Sequence, residues 1–365
     1  MPVDDLRWLV GHESPSDDAA RVSALANGIV ERLTRAGASA DAVPCEGRGD
    51  AVRATFKAPG KAGGTLLVGH LDTVWPVGTL SERPFRVDGR RATGPGVFDM
   101  KAGIAVALAL FDRFGASPRR PALSLFLAPD EEAGSGSSRG ALVALAREHD
   151  RVLVLEPSQE GAAKVARKGT GLVTVGFRGR SAHAGLEPEK GASALLEMAR
   201  FALFLESVAA RAAGTTVTPT VASAGGKTNV VPSSARLVID ARVWTAAEEA
   251  RVREALAAYR PADPGVAVSI DARFDRPPME ETPASRALYD RMRAVAREAG
   301  HELGAARVGG ASDGNLTAAA GVPTLDGLGP AGGGAHAPDE WVDLDDLDFR
   351  VALLARFLEG PGETA

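Results

Sequence analysis

Three short apolar runs, 65–69, 123–128 and 152–155, lack the polar alternation of a strand with one face in water. Runs of this length without a period of two read as strands covered on both faces, which is the arrangement of a largely parallel sheet between helices. A fourth run at 52–56 joins them. The segments between and around them are helical in pattern. Over 17–36 the apolar positions Val22, Leu25, Ala26, Ile29 and Leu33 share one helix face, with Ser16 as a cap and Gly37 as a stop. Helices are also expected at 100–114 and 137–148. Strand and helix in alternation specify an α/β fold with a mixed, largely parallel sheet.

The pattern changes between 171 and 274. Here the order is strand 172–177, helix 188–205, strands 218–224 and 235–243, helix 246–257 and strand 266–273, the βαββαβ order of a ferredoxin-like unit. In 235–243, Leu237, Ile239, Ala241 and Val243 alternate with Arg236, Asp240 and Arg242, so one face is expected to take the helices and the other to stay polar. The chain thus reads as a domain formed by 1–169 and 276–365 with a second domain, 170–275, inserted into it. A helix at 283–298, a short strand at 323–325 and a closing helix at 344–358 would complete the first.

The residues that interrupt the regular pattern are ionisable and lie at strand ends. His70 and Asp72 follow the first run, Asp130, Glu131 and Glu132 the second, and Glu156 closes the third; Asp99 precedes a helix and His336 lies in a Gly-rich loop. Ligands of open α/β sheets collect outside the carboxyl ends of the strands. With Cys45 as the single cysteine, a metal site here would have to use His, Asp and Glu, a donor set suited to Zn²⁺ or another first-row divalent ion. Adjacent Glu131 and Glu132 point the same way, because two buried carboxylates repel unless a cation or a raised pKa compensates. Singly, each residue has a plainer reading as a hydrogen-bonded loop or surface group. The formal charge of −5 without a long basic run argues against nucleic acid as a partner, and no apolar run approaches a membrane span. The expectation is a soluble, cytoplasmic protein.

The segments GHLDTV (69–74), GPGVFDMKAG (94–103), PDEEAGS (129–135), LEPS (155–158), RSAHAG (180–185), GGKTNVVP (225–232) and GGGAHAPDEW (332–341) resemble, in order and along nearly the whole chain, the M20 family of zinc peptidases and deacylases, most of all its glutamate carboxypeptidase branch. Ala102 stands where that family often has a second Gly. The resemblance implies a zinc-peptidase catalytic domain and an inserted lid and dimerisation domain, and two Zn²⁺ per subunit, with Co²⁺ or Mn²⁺ as substitutes. It implies that His70 and Glu156 bind one ion, Glu132 and His336 the other, and that Asp99 bridges them, with a cis peptide after Asp99. Asp72 would accept a hydrogen bond from His70, and Glu131 would be the general base. His183 and Asn229 would reach the partner subunit's active site in a homodimer, and Arg242 would meet a substrate carboxylate. Arg276, at the exit from the inserted domain, offers a second guanidinium or is a solvated hinge residue. His12, His149 and His301 match no segment.

The implied reaction is cleavage of an amide next to a carboxylate, in a small peptide with release of its C-terminal residue or, alternatively, in an N-acyl amino acid. A remote alternative is a serine hydrolase, because Gly136-Ser137-Ser138-Arg139-Gly140 satisfies G-x-S-x-G and Asp313 and His336 follow in order. Against it, Ser138 lies too far beyond the strand ending at Ala128 to sit on a nucleophile elbow.

Overall fold

A computed structural model of the protein describes residues 2–56, 63–118 and 120–360. The chain divides into two compact units. One comprises Met1–Ala166, Glu281–Val308 and Ser312–Ala365, the other Arg167–Glu280 and Gly309–Ala311.

The first unit is built on a six-stranded sheet in the order Ser39–Cys45, Gly49–Phe56, Leu123–Ala128, Thr65–His70, Arg151–Val154, Thr324–Leu325. The last three pairings are parallel and the first two antiparallel. The absence of alternation in the central strands now has its cause. Leu67, Leu125, Leu127 and Leu153 pack into one apolar cluster with the helices Ala19–Arg35, Ala102–Gly115 and Leu344–Glu359, while Leu66, Val68, Phe126, Val152 and Val154 pack into a second with Arg139–Ala146. Both faces of each strand are buried, as parallel sheets between helices require. No helix among the described residues is long and apolar enough to cross a membrane.

Several elements carry no pattern that the sequence alone could expose. The edge strand Ser39–Cys45 is mostly half-exposed and contains Pro44, tolerated because an edge needs hydrogen bonds on one side only. Gly332–Gly333, Trp341–Asp343, Arg91–Thr93 and Arg86–Asp88 form a small antiparallel sheet of two- and three-residue strands. These are too short for any periodicity, and one of their pairings, Trp341–Asp343 with Arg91–Thr93, joins distant parts of the chain.

In the second unit the sheet order is Thr216–Ala224, Ser234–Val243, Gly169–Arg178, Ala267–Arg276, antiparallel throughout, which is the ferredoxin-like order expected. Leu237, Ile239 and Val243 face the helices Ala194–Val208 and Ala246–Ala258, and Arg236, Asp240 and Arg242 the other side. The expected helix over 188–205 is corrected. Pro188–Lys190 form one 3₁₀ turn, Gly191 is extended, and the α-helix begins at Ala194, where the Ser193 hydroxyl accepts the Leu196 N–H at 3.2 Å. A side-chain cap at Ser193 outweighs the weaker proline signal at 188.

Candidate active site

His70 ends its strand and is 2% exposed. Its Nδ1 lies 2.8 Å from the main-chain oxygen of Asp72 and donates its proton there. Nε2 then turns toward two carboxylates, Asp99 Oδ1 at 3.2 Å and Glu156 Oε1 at 3.6 Å. Sheet register brings Glu156 to this place: Val68 pairs with Val154 in parallel, and His70 and Glu156 each follow two residues later.

Asp99 lies in the wide turn Val97–Lys101 that leads into helix Ala102–Gly115, and its peptide bond to Met100 is cis, as the resemblance implies. That helix approaches the strand ends closely, since a Cβ at Gly103 would lie 2.1 Å from the Leu155 carbonyl oxygen. The second oxygen of Asp99, Oδ2, is 3.4 Å from His336 Nε2, and the same Nε2 is 3.0 Å from Glu132 Oε1. His336 is half-exposed and holds φ at +61°, a region that non-glycine residues enter uncommonly. Thus two groups, His70–Asp99–Glu156 and Asp99–Glu132–His336, each have potential ligand atoms within 4.8 Å of one another and share Asp99.

The electrostatics follow from this crowding. Burial works against a charged His70 ring, but its contacts with Asp72 and Asp99 and the charge of Glu156 hold the proton well above the ordinary histidine range. His336, hydrogen-bonded to Asp99 and beside Glu132, is pushed up to about 9. Asp99 is partly buried, which alone would raise it, yet the His336 and His70 contacts hold it far below the usual carboxylate range. Burial pushes Glu132 upward. Each imidazole faces two carboxylates, so only a proton or another cation reconciles the four oxygens with the ring lone pairs.

Asp72 does more than expected. Its Oδ1 is 3.4 Å from His70 Nδ1, and its main-chain oxygen is nearer, at 2.8 Å. The carboxylate accepts the main-chain N–H groups of Glu131 at 3.0 Å and Glu132 at 3.1 Å, and the Ser16 hydroxyl at 2.7 Å. Asp72 therefore fixes the turn that carries both glutamates. Ser16 was expected only as a helix cap; the cap of helix Ala19–Arg35 is Asp18.

The serine-hydrolase alternative is corrected by the same contacts. Ser138 lies just before helix Arg139–Ala146 and donates to Asp130, Asp313 accepts the Ser135 hydroxyl, and His336 faces Asp99 and Glu132. The three residues form no relay. His149 has both ring nitrogens engaged, by the Leu145 carbonyl and Ser124.

Glu340 was missed. It is 2% exposed and accepts hydrogen bonds from the amides of Gly96, Phe98 and Asp99 and from the Trp75 indole. Its partners lie more than 240 positions away, and no local signal marks such a contact.

In the second unit, the loops bearing His183 and Asn229 are tied together: Ala184 N–H donates to the Asn229 carbonyl at 2.9 Å and Val231 N–H to that of Ala182 at 2.9 Å. Both residues are exposed. His183 Nδ1 accepts the N–H groups of Gly185 and Leu186, each at 3.2 Å, so Nε2 carries the proton and is a donor. Arg242 forks onto Asp240 through Nε and Nη2. Arg276 is 6% exposed at the end of its strand, not a solvated hinge residue.

The sequence pattern of peptidase family M20/M25/M40 matches residues 66–360. Carboxypeptidase G2 of Pseudomonas sp. (strain RS-16) is 31% identical, over 98% of this chain and 88% of that protein. Among solved structures, the aminopeptidase PepT from Bacillus cereus ATCC 10987 superposes with a TM-score of 0.80 at 20% identity, covering 98% of this chain and 97% of that one. The M20 family metallo-carboxypeptidase Sso-CP2 from Sulfolobus solfataricus gives 0.75 at 16% identity, covering 98% of each. With its α/β sheet, its ferredoxin-like unit and a paired set of His and carboxylate residues at the strand ends, the chain belongs to peptidase family M20/M25/M40 and is a hydrolase.

Proposed function

We propose that the protein is a two-zinc amidohydrolase, of the glutamate-type carboxypeptidase kind, that releases a C-terminal amino acid from small peptides. The observation that carries this reading is the pair of ligand groups sharing Asp99, one carboxylate oxygen facing each imidazole. His70 and Glu156 would hold one ion, Glu132 and His336 the other, and Asp99 both. The donors fit, being N and O atoms, with Nε2 of each ring facing the carboxylates and the His70 tautomer set by its Nδ1–H on the Asp72 carbonyl. When bound, such ions polarise a scissile carbonyl and make water acidic enough to attack it at neutral pH.

The protein's own groups account for the remainder. Glu131, adjacent to Glu132 and held through its amide by Asp72, takes the proton of the attacking water and delivers it to the leaving nitrogen. Arg242 is the proposed partner of the substrate carboxylate, approached on the guanidinium edge that Asp240 does not occupy; Arg276 is a second. Carboxypeptidase activity is favoured by the similarity to carboxypeptidase G2. On a panel of dipeptides and N-acyl amino acids, peptides ending in Glu should turn over fastest. Turnover of N-acyl amino acids alone would replace this substrate by the deacylase one.

A homodimer through the second unit is part of the proposal. Strand Thr216–Ala224 is paired on one side only and largely exposed, and helix Ala194–Val208 exposes Leu196 at 57% and Leu203 at 68%. An unpaired edge beside an apolar helix stripe suits an isologous contact between two copies.

Chelator-treated protein should be inactive and should take up two divalent ions per chain with return of activity. Uptake should also release protons. His336 titrates at about 9 without metal and is protonated at pH 7, so the ion must displace that proton and affinity should climb as pH rises toward 9. Calorimetry in buffers of different ionisation enthalpy measures this; proton-independent uptake would exclude His336 as a ligand.

A further inference from the structure

Glu340 is almost fully removed from water. Its Oε1 accepts from Phe98 N–H at 2.9 Å and Asp99 N–H at 3.0 Å, and its Oε2 from Gly96 N–H at 2.8 Å and Trp75 Nε1–H at 2.9 Å. Burial pushes Glu340 upward, but all four partners can only donate, so the contacts themselves fit the ionised carboxylate and offer a proton no acceptor. The three amides belong to the turn ahead of helix Ala102–Gly115, where unsatisfied N–H groups and the helix dipole both favour an anion.

The position of Glu340 in the chain gives this clamp a consequence. It follows His336 by four residues, and the segment between is folded tightly, with Ala337 N–H on the Gly334 carbonyl at 2.8 Å and Glu340 N–H on that of Ala337 at 3.1 Å. Immediately afterwards Trp341 pairs with Thr93, on the strand that leads into the Asp99 turn. One short segment therefore meets Asp99 twice, His336 at its carboxylate and Glu340 at its amide.

We propose that Glu340 is a positioning residue that sets the Asp99 carboxylate against His336 and so forms the ion position made by Asp99, Glu132 and His336. The inference rests on the two-ion reading above. The other position depends on Glu340 less, because His70 and Glu156 are fixed by the register of adjacent parallel strands. His336 has no such support: it sits half-exposed in a loop at positive φ.

The test is titration of the metal-free protein with Zn²⁺ by calorimetry and with Co²⁺ by absorption, at a temperature where circular dichroism shows each variant folded. Wild type should bind two equivalents; fewer would overturn the two-ion reading itself and this inference with it. Given two, Glu340→Gln should bind the first as wild type does and the second about 10- to 100-fold more weakly, the range for groups that orient ligands. Glu340→Asp, which keeps the charge, should fall between. A purely structural anchor would lower the melting temperature and leave both affinities unchanged, and that result overturns the proposal. Where Glu340→Gln does not fold, Glu340→Asp decides alike: a weakened second equivalent supports the role, wild-type affinity for both refutes it.

Discussion

Glu131→Ala is expected to keep its metal ions and to lose about 10²- to 10⁴-fold in kcat, the usual cost of removing a general acid–base group. Glu131 and Glu132 share a turn whose amides both rest on Asp72, but their side chains have separate employments. Glu132 faces His336 at 3.0 Å and belongs to a ligand group, whereas Glu131 belongs to neither group. Removing the Glu131 carboxylate should therefore spare the ligand set, and Glu131→Gln, which keeps shape without the base, should be nearly as inactive as Ala. Metal content, kcat and KM measured on the same preparations decide the matter. Turnover near the wild-type level would place the base elsewhere, and loss of metal in parallel with activity would make Glu131 a ligand.

Ser16 gives a smaller test of the same turn. Its hydroxyl is one of three donors to the Asp72 carboxylate, and the other two are the glutamate amides. Ser16→Ala should lower kcat by a few-fold, since about 1 kcal/mol of lost hydrogen bonding loosens a turn without breaking it. Unchanged kcat would show that the two amides suffice.

How much of this was legible in the sequence depended on whether the signal was local. The doubly buried strands announced themselves because covering both faces removes alternation, and the ionisable residues at their ends stood out against apolar runs. The ferredoxin-like unit was legible in the alternation of Ser234–Val243, which has one face on helices. The edge strand Ser39–Cys45 and the two-residue strand Gly332–Gly333 were not: the first has no alternation at its half-exposed edge, the second is too short for any period, and each is defined only by its pairing, with Gly49–Phe56 and with Trp341–Asp343. The site divides in the same way. His70, Asp99, Glu132, Glu156 and His336 lie in segments with recognisable neighbours. The clamp by Glu340 and the hold of Ser16 and Asp72 on the Glu131 turn exist only once the chain is folded, between residues more than 50 positions apart. The further part played by the Asp72 carboxylate was hidden for a related reason. From sequence it stands two residues from His70, and proximity suggests the imidazole; in the fold its Oδ1 is 3.4 Å from that ring, and its two oxygens also accept the amides of Glu131 and Glu132, far along the chain.

Mixing His183→Ala with Glu131→Ala should restore activity that neither variant has alone, provided subunits exchange. The expectation combines two features of the second unit, an unpaired edge with an apolar helix stripe suited to pairing with a second copy, and an exposed His183 whose Nδ1 is occupied by two amides so that Nε2–H is available to donate. A donor aimed at a developing oxyanion contributes about 10²- to 10³-fold, or ~2.7 to 4 kcal/mol, so His183→Ala alone should lose that much in kcat while binding metal normally. If the donor is delivered across the dimer, a mixed pair contains one site with an intact Glu131 that receives an intact His183 from its neighbour, and another lacking both. Each heterodimer should then regain about half the wild-type rate, because an isologous interface makes the two sites independent copies of one arrangement. Delivery within one chain predicts the opposite, since every site in the mixture would lack one group or the other. Exchange is verified by differently tagged subunits, so that silence in a mixture shown to contain heterodimers assigns His183 to its own chain or removes it from the reaction.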